Sequence, residues 1–152
     1  KETDRSHRNA LYLKGLTARC IGNLDDAEAI FSKLHQANLD DIAVADQLAL
    51  VLVDQPDEGK RARAAQIAES NLRRAPNVEF VIATAAWIQF QLGSTDTADK
   101  IFTELTSKTA VSPQTGYYIA TLFKARNRNK EADQILESIR NSKELIIEKK
   151  VR

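Results

Sequence analysis

Methionine is missing from the 152 residues; cysteine and tryptophan occur once each, proline three times and glycine five times. Each scarcity removes a class of answer. One thiol, Cys20, builds neither a disulfide framework nor a multi-cysteine zinc site, and it leaves the compartment open, with cytoplasm and periplasm both compatible. Few helix breakers, frequent alanine and no succession of apolar/polar alternations argue for helices throughout. No apolar run approaches the roughly 20 residues of a membrane span, and no cleavable signal pattern opens the chain, so no membrane contact is expected from this segment. Charge of one sign is lacking too. Lys and Arg total 22 against 21 Asp and Glu, and a net charge of +1 provides no strong field for DNA, RNA or anionic lipid. The start at Lys1 and the lack of Met are read as marks of a longer protein, whose targeting signals or anchors would lie outside this chain.

What the chain does contain is a repeat. The segment Gly22-Asn23-Leu24-Asp25-Asp26-Ala27-Glu28-Ala29-Ile30-Phe31 returns as Gly93-Ser94-Thr95-Asp96-Thr97-Ala98-Asp99-Lys100-Ile101-Phe102, and again as Asn127 to Leu136. Its anchoring alanines Ala98 and Ala132 lie 34 residues apart (132 − 98), as do Ala64 and Ala98 (98 − 64), whereas Ala27 precedes Ala64 by 37 (64 − 27). A small residue stands 12 positions upstream of three anchors, Gly15, Ala86 and Ala120, and Ala49 stands 15 upstream of Ala64. Small residues facing each other let two antiparallel helices approach closely. The turn between the helices falls at Gly22, Gly93 and Asn127, residue types that tolerate a left-handed backbone. In the second unit it is a longer polar loop, Asp54 to Lys60, broken by Pro56 and Gly59, where substitutions from Asp57 to Lys60 are expected to be nearly neutral.

Periodicity and turn chemistry together predict helices at about 7–21, 24–37, 41–54, 60–74, 78–92, 96–108, 113–126 and 129–141. Asn23, Asn77, Thr95 and Asn129 are candidate N-caps, and Ser112-Pro113 offers a cap followed by proline at the first helical position. The tail 143–152 continues the apolar spacing through Ile146 and reads as a helical extension or cap, whose removal should favour self-association.

A helical hairpin of 34 residues with a small residue in its first helix, Gly at the turn and Ala-x3-Phe in its second resembles the tetratricopeptide repeat. The residues that carry the likeness are Leu11, Gly15, Gly22, Ala27 and Phe31; Leu48, Ala49, Ala64, Ala68 and Pro76; Ala86, Gly93, Ala98 and Phe102; and Ala120, Ala132 and Leu136. Four repeats follow, at about 8–41, 42–77, 79–112 and 113–142, in one domain 1–152. Departures are the missing aromatic at the fourth position of every repeat, Asn71 in place of a small residue in the second, and no closing proline in the first. The resemblance implies an all-α, right-handed α-solenoid, a non-enzymatic scaffold that binds a peptide or partner helix in its concave groove, as a monomer or weak homodimer. It also implies the groove residues: Tyr12, Leu16 and Arg19; Asp46, Leu50 and Val53; Phe80, Ala83, Trp87 and Phe90; and Tyr117, Thr121 and Lys124. Trp87 either anchors a partner there or wedges between repeats. The cationic clamp by which one subclass holds chaperone tails is absent, since Tyr12, Leu16, Phe80 and Thr84 occupy its places. Two other roles fit the same repeats: a structural spacer in a large bacterial protein, or an accessory module of an enzyme or of envelope or exopolysaccharide machinery.

Chemistry is hard to find. His7 and His35 lie 28 residues apart (35 − 7), without the spacing that places two ligands on one helix face, so no metal site is expected; a solvated His7, a half-buried His35 and a buried Cys20 are the plain readings. No phosphate loop, nucleophile elbow, CxxC or HExxH occurs, which leaves no catalytic residue and no cofactor to name. The basic groups Lys60 to Arg63, Arg73-Arg74 and Lys124 to Lys130 have acidic neighbours and read as solvated faces rather than a nucleic-acid patch.

Overall fold

Helix follows helix in the computed structural model, which describes residues Lys1–Arg140. The elements are α1 (Glu2–Cys20), α2 (Leu24–Ala37), α3 (Ile42–Val53), α4 (Glu58–Arg74), α5 (Glu79–Gln91), α6 (Thr95–Lys108), α7 (Pro113–Ala125) and α8 (Asn129–Arg140), with no strand among the described residues. Consecutive helices pair as hairpins, α1 with α2, α3 with α4, α5 with α6 and α7 with α8. Two compact units result, Lys1–Arg74 and Ala75–Arg152. In the first, α3 packs on α2 and α1; in the second, α7 packs on α6 and α5. The expected cap at 143–152 lies outside the described residues.

The turns are built alike. Gly22 at φ 81°, Gly93 at φ 91° and Asn127 at φ 60° each end a first helix in the left-handed region. At Gly22 two main-chain N–H groups reach back, Gly22 to the Arg19 carbonyl at 3.1 Å and Asn23 to the Ala18 carbonyl at 2.8 Å. The same double closure recurs at Gly93 and Ser94, and at Asn127 and Arg128, where the longer-range bonds are 2.9 and 2.8 Å. This is the Schellman arrangement, which satisfies carbonyls that a helix end otherwise leaves orphaned.

Helix starts agree less uniformly with the sequence reading. Asn23 caps α2, its Oδ1 accepting from the Asp26 N–H at 3.3 Å while its Nδ2 donates to Asp26 Oδ2 at 2.7 Å. Ser112 caps α7, with Pro113 in its first turn. Asn77, however, stands outside α5, whose cap position is Val78; Thr95 lies inside α6, capped in position by Ser94; and Asn129 is the first residue of α8. Neither Val78 nor Ser94 makes a side-chain cap bond, so packing of the apolar faces sets these two starts. Asp41, expected inside α3, caps it instead by accepting from the Val44 N–H at 3.1 Å. α1 begins at Glu2, five residues before the expected start at 7. Those residues are solvent-exposed and carry no apolar pattern, but they include neither Gly nor Pro, and Glu2 and Asp4 suit the positive end of the helix dipole.

Packing follows the repeat. Ala27 and Phe31, Ala98 and Phe102, and the lone small residues Ala49, Ala64, Ala86, Ala120 and Ala132 are all buried. The close approach at Gly15 is to the Phe31 ring: a Cβ there would sit 2.8 Å from the ring edge and 3.1 Å from Ile30. Hence the pressure for glycine comes from the aromatic of the second helix, not from the facing alanine. Cys20 is exposed, contrary to the buried thiol expected, because it shares with Leu13, Thr17 and Ile21 a face of α1 left open to solvent.

The long turn of the second repeat is tied down. Gln55 is buried and donates to Glu28 Oε2 at 2.8 Å, while Lys60 Nζ reaches Glu28 Oε2 and Gln55 Oε1, both at 2.6 Å. Asp57 accepts from the Lys60 N–H at 2.7 Å and so closes the start of α4. The expectation that Asp57 to Lys60 would be inert therefore gives way to a loop pinned to α2. Asn71 is 2% exposed, and its Nδ2 finds no hydrogen-bond partner among the described residues. It stands seven residues after Ala64, where Leu34 follows Ala27 and Leu105 follows Ala98.

Ala86→Leu or Ala120→Leu should overpack a closed helix contact and cost about 1–3 kcal/mol by urea unfolding. A neutral result would place these alanines outside the hairpin contacts. Asn71→Leu should raise stability by about 1 kcal/mol, since it removes a buried unpaired donor at a position the other repeats fill with leucine. The Glu28 carboxyl is held below its ordinary range, first by the Lys60 hydrogen bond, against a smaller opposing effect of burial. A carboxyl depressed in the folded state stabilises above its unfolded pKa and loses that contribution as pH falls through the folded value. The native chain should thus lose stability on acidification from about pH 7 to about pH 3 more steeply than Glu28→Gln, as read from urea midpoints; equal losses would mean that the tie contributes nothing.

Candidate functional site

The thirteen positions expected to face a partner lie on the first helices of the hairpins, and the two units treat them differently. In the first unit Tyr12, Leu16 and Arg19 share one face of α1, and Asp46, Leu50 and Val53 share one face of α3. Asp46, Leu50 and Val53 are buried, as is Arg19, whose Nη1 donates to Gln47 Oε1 at 3.0 Å and so links α1 to α3. Tyr12 is half-buried with its ring edge-on to Phe31 at 5.7 Å. Burial pushes its phenol pKa up, and the Asp46 carboxylate adds to the rise. Leu16 and Tyr12 are what this face leaves partly open. The α1 face is also steadied at its start by an ion pair between Arg8 and the α3 cap Asp41.

In the second unit Phe80, Ala83, Trp87 and Phe90 follow one face of α5. Ala83 and Trp87 are buried, Trp87 to 4% exposure, while Phe80 remains 42% exposed and Phe90 half-buried. The indole stacks on Tyr118 of α7 at 4.4 Å between centroids and 18° between planes, and meets the Phe90 ring at 5.5 Å. Offset stacking of this kind adds to the area that the rings bury. Tyr118 is the residue that the sequence reading passed over in favour of Tyr117; its spacing of four from Leu122, also buried, is the signal that places it on the inward face. Tyr117 and Thr121 are half-buried on α7, the Thr121 hydroxyl donating to the Tyr117 carbonyl at 2.9 Å. Lys124 is exposed, 3.6 Å from Asp133 of α8. The open part of this face is therefore aromatic, with a balanced charge at its end.

Charge elsewhere is locally matched. Arg126 pairs with Asp96, and Arg128 with Glu131 at 2.6 Å, both arginines also lying 3.9 Å from Asp99. Arg128 covers the Phe123 ring at 3.8 Å, using the aromatic face as a further partner for its cation. Arg74 bonds to Asp40, and Arg73 to Glu69 at 2.6 Å. Because these basic runs carry their own counter-charges, they offer few free cations to a phosphate backbone. His7 is exposed and His35 half-buried; burial, with Arg63 and Arg74 nearby, pushes the His35 imidazole pKa down. No cluster of three His, Cys, Asp or Glu with metal-binding geometry occurs among the described residues, and none of their helices is long and apolar enough to cross a membrane. A cavity of about 380 Å³ lies between α6, α7 and α8, walled by Phe102, Ile119, Phe123, Ile135 and Ile139.

No protein-family model matches the chain, and no curated protein does. Solved structures do match in fold. MamA MSR-1 C2 superposes with a TM-score of 0.58 at 17% identity, covering 88% of this chain and 75% of that one. MamA AMB-1 C2221 gives 0.57 at 17% identity, with 87% and 76% covered. TTC0263, a thermophilic TPR protein in Thermus thermophilus, gives 0.52 at 15% identity, with 89% and 93% covered. Eight helices in hairpins, a 34-residue period with Schellman turns, and these likenesses converge: the chain has a tetratricopeptide-type helical repeat fold.

Proposed function

We propose that this chain is a non-enzymatic interaction scaffold that binds a protein partner, as an extended peptide or a helix, on the first helices of its hairpins. The observation that carries this reading is the open aromatic surface of the second unit, where Phe80 is exposed and Phe90 and Tyr117 are half-covered beside the closed Trp87–Tyr118 stack. Aromatic side chains supply large contact area at low entropic cost, and a surface fixed by a buried stack is preorganised for them. Phe80, Phe90, Tyr117, Thr121 and Lys124 are assigned to contact, and Trp87 and Ala83 to support. In the first unit Tyr12 and Leu16 are the corresponding contacts. Burial of Arg19, Asp46, Leu50 and Val53 favours a second reading for that unit, a spacer that carries the binding unit without itself binding.

A photo-crosslinking residue at position 80 identifies the partner, and titration with variants tests the face. Phe80→Ala and Tyr117→Ala should each weaken binding by about 2 kcal/mol, roughly 30-fold, with thermal unfolding almost unchanged. Added salt should change the affinity little, since the face lacks a cationic clamp. Affinity indifferent to both substitutions would remove the α5–α7 face from the interface.

Trp87→Ala should behave differently. Deleting a buried ring that stacks on Tyr118 is expected to cost about 3–5 kcal/mol of stability, and binding should fall only as far as the folded fraction does. An unfolding midpoint unmoved by Trp87→Ala, with binding lost, would make Trp87 the contact and not the support.

A further inference from the structure

We draw no further inference here: the strongest candidate, the apolar cavity of about 380 Å³ between α6, α7 and α8 of the second unit, carries nothing, because the hydroxyls of Thr106, Ser112 and Ser138 at its edge bond locally and nothing in the structure shows what covers it.

Discussion

One residue per hairpin must adopt a left-handed backbone, and the register of everything after it depends on that residue. Gly22, Gly93 and Asn127 reverse the chain within two or three residues, and the paired bonds back to the preceding helix leave little freedom in the direction of the next one. Because the turn is the same each time, Ala27, Ala98 and Ala132 arrive at equivalent depths, and the residue four positions later is presented to the first helix. Phe31 then lies against Gly15 so closely that a single methyl group would have to displace it. Turn and core thus specify each other. The second repeat lacks this turn and uses side chains in its place: Glu28, Gln55 and Lys60 hold a loop that the backbone alone would leave loose.

The same economy governs the faces. A helix that buries one side keeps the other for solvent or for a partner, and here the first helices differ in how much is left over. From Val44 to Val53, α3 buries every side chain except Gln47. In α5 Trp87 is spent on the stack with Tyr118, while Phe80, one helical face-repeat earlier, stays open. An aromatic pair that rigidifies its own unit and an aromatic that does not are distinguishable by burial, although in sequence both are large rings at helical spacing.

That distinction marks the limit of what the sequence discloses. The 34-residue period, the turn positions and the eight helices are legible because each rests on a local rule: small residues at fixed offsets, Gly or Asn where φ is positive, apolar spacing near 3.6. Helix starts are less legible where no side chain caps them, as at Val78 and Ser94, and the start of α1 at Glu2 is hidden by the lack of an apolar residue to count. The candidate site divides similarly. Helical spacing correctly groups Phe80, Trp87 and Phe90 on one face, but which ring is covered depends on Tyr118, 31 residues beyond Trp87 (118 − 87), and no local pattern encodes that contact. Cys20 illustrates the converse, a residue type usually buried that lies exposed because its face of α1 has no neighbour.

Within each unit the helices that touch are neighbours along the chain or one helix removed. This proximity has a kinetic meaning. Short loops close at small entropic cost, so apolar contact begins to reward each hairpin before distant segments must be found. Nothing in such a hairpin waits for the far end of the polypeptide. During synthesis, α1 and α2 can close around Phe31 while the codons for α8 are still unread, and a nascent chain that hides its core in instalments exposes little of it at any one time.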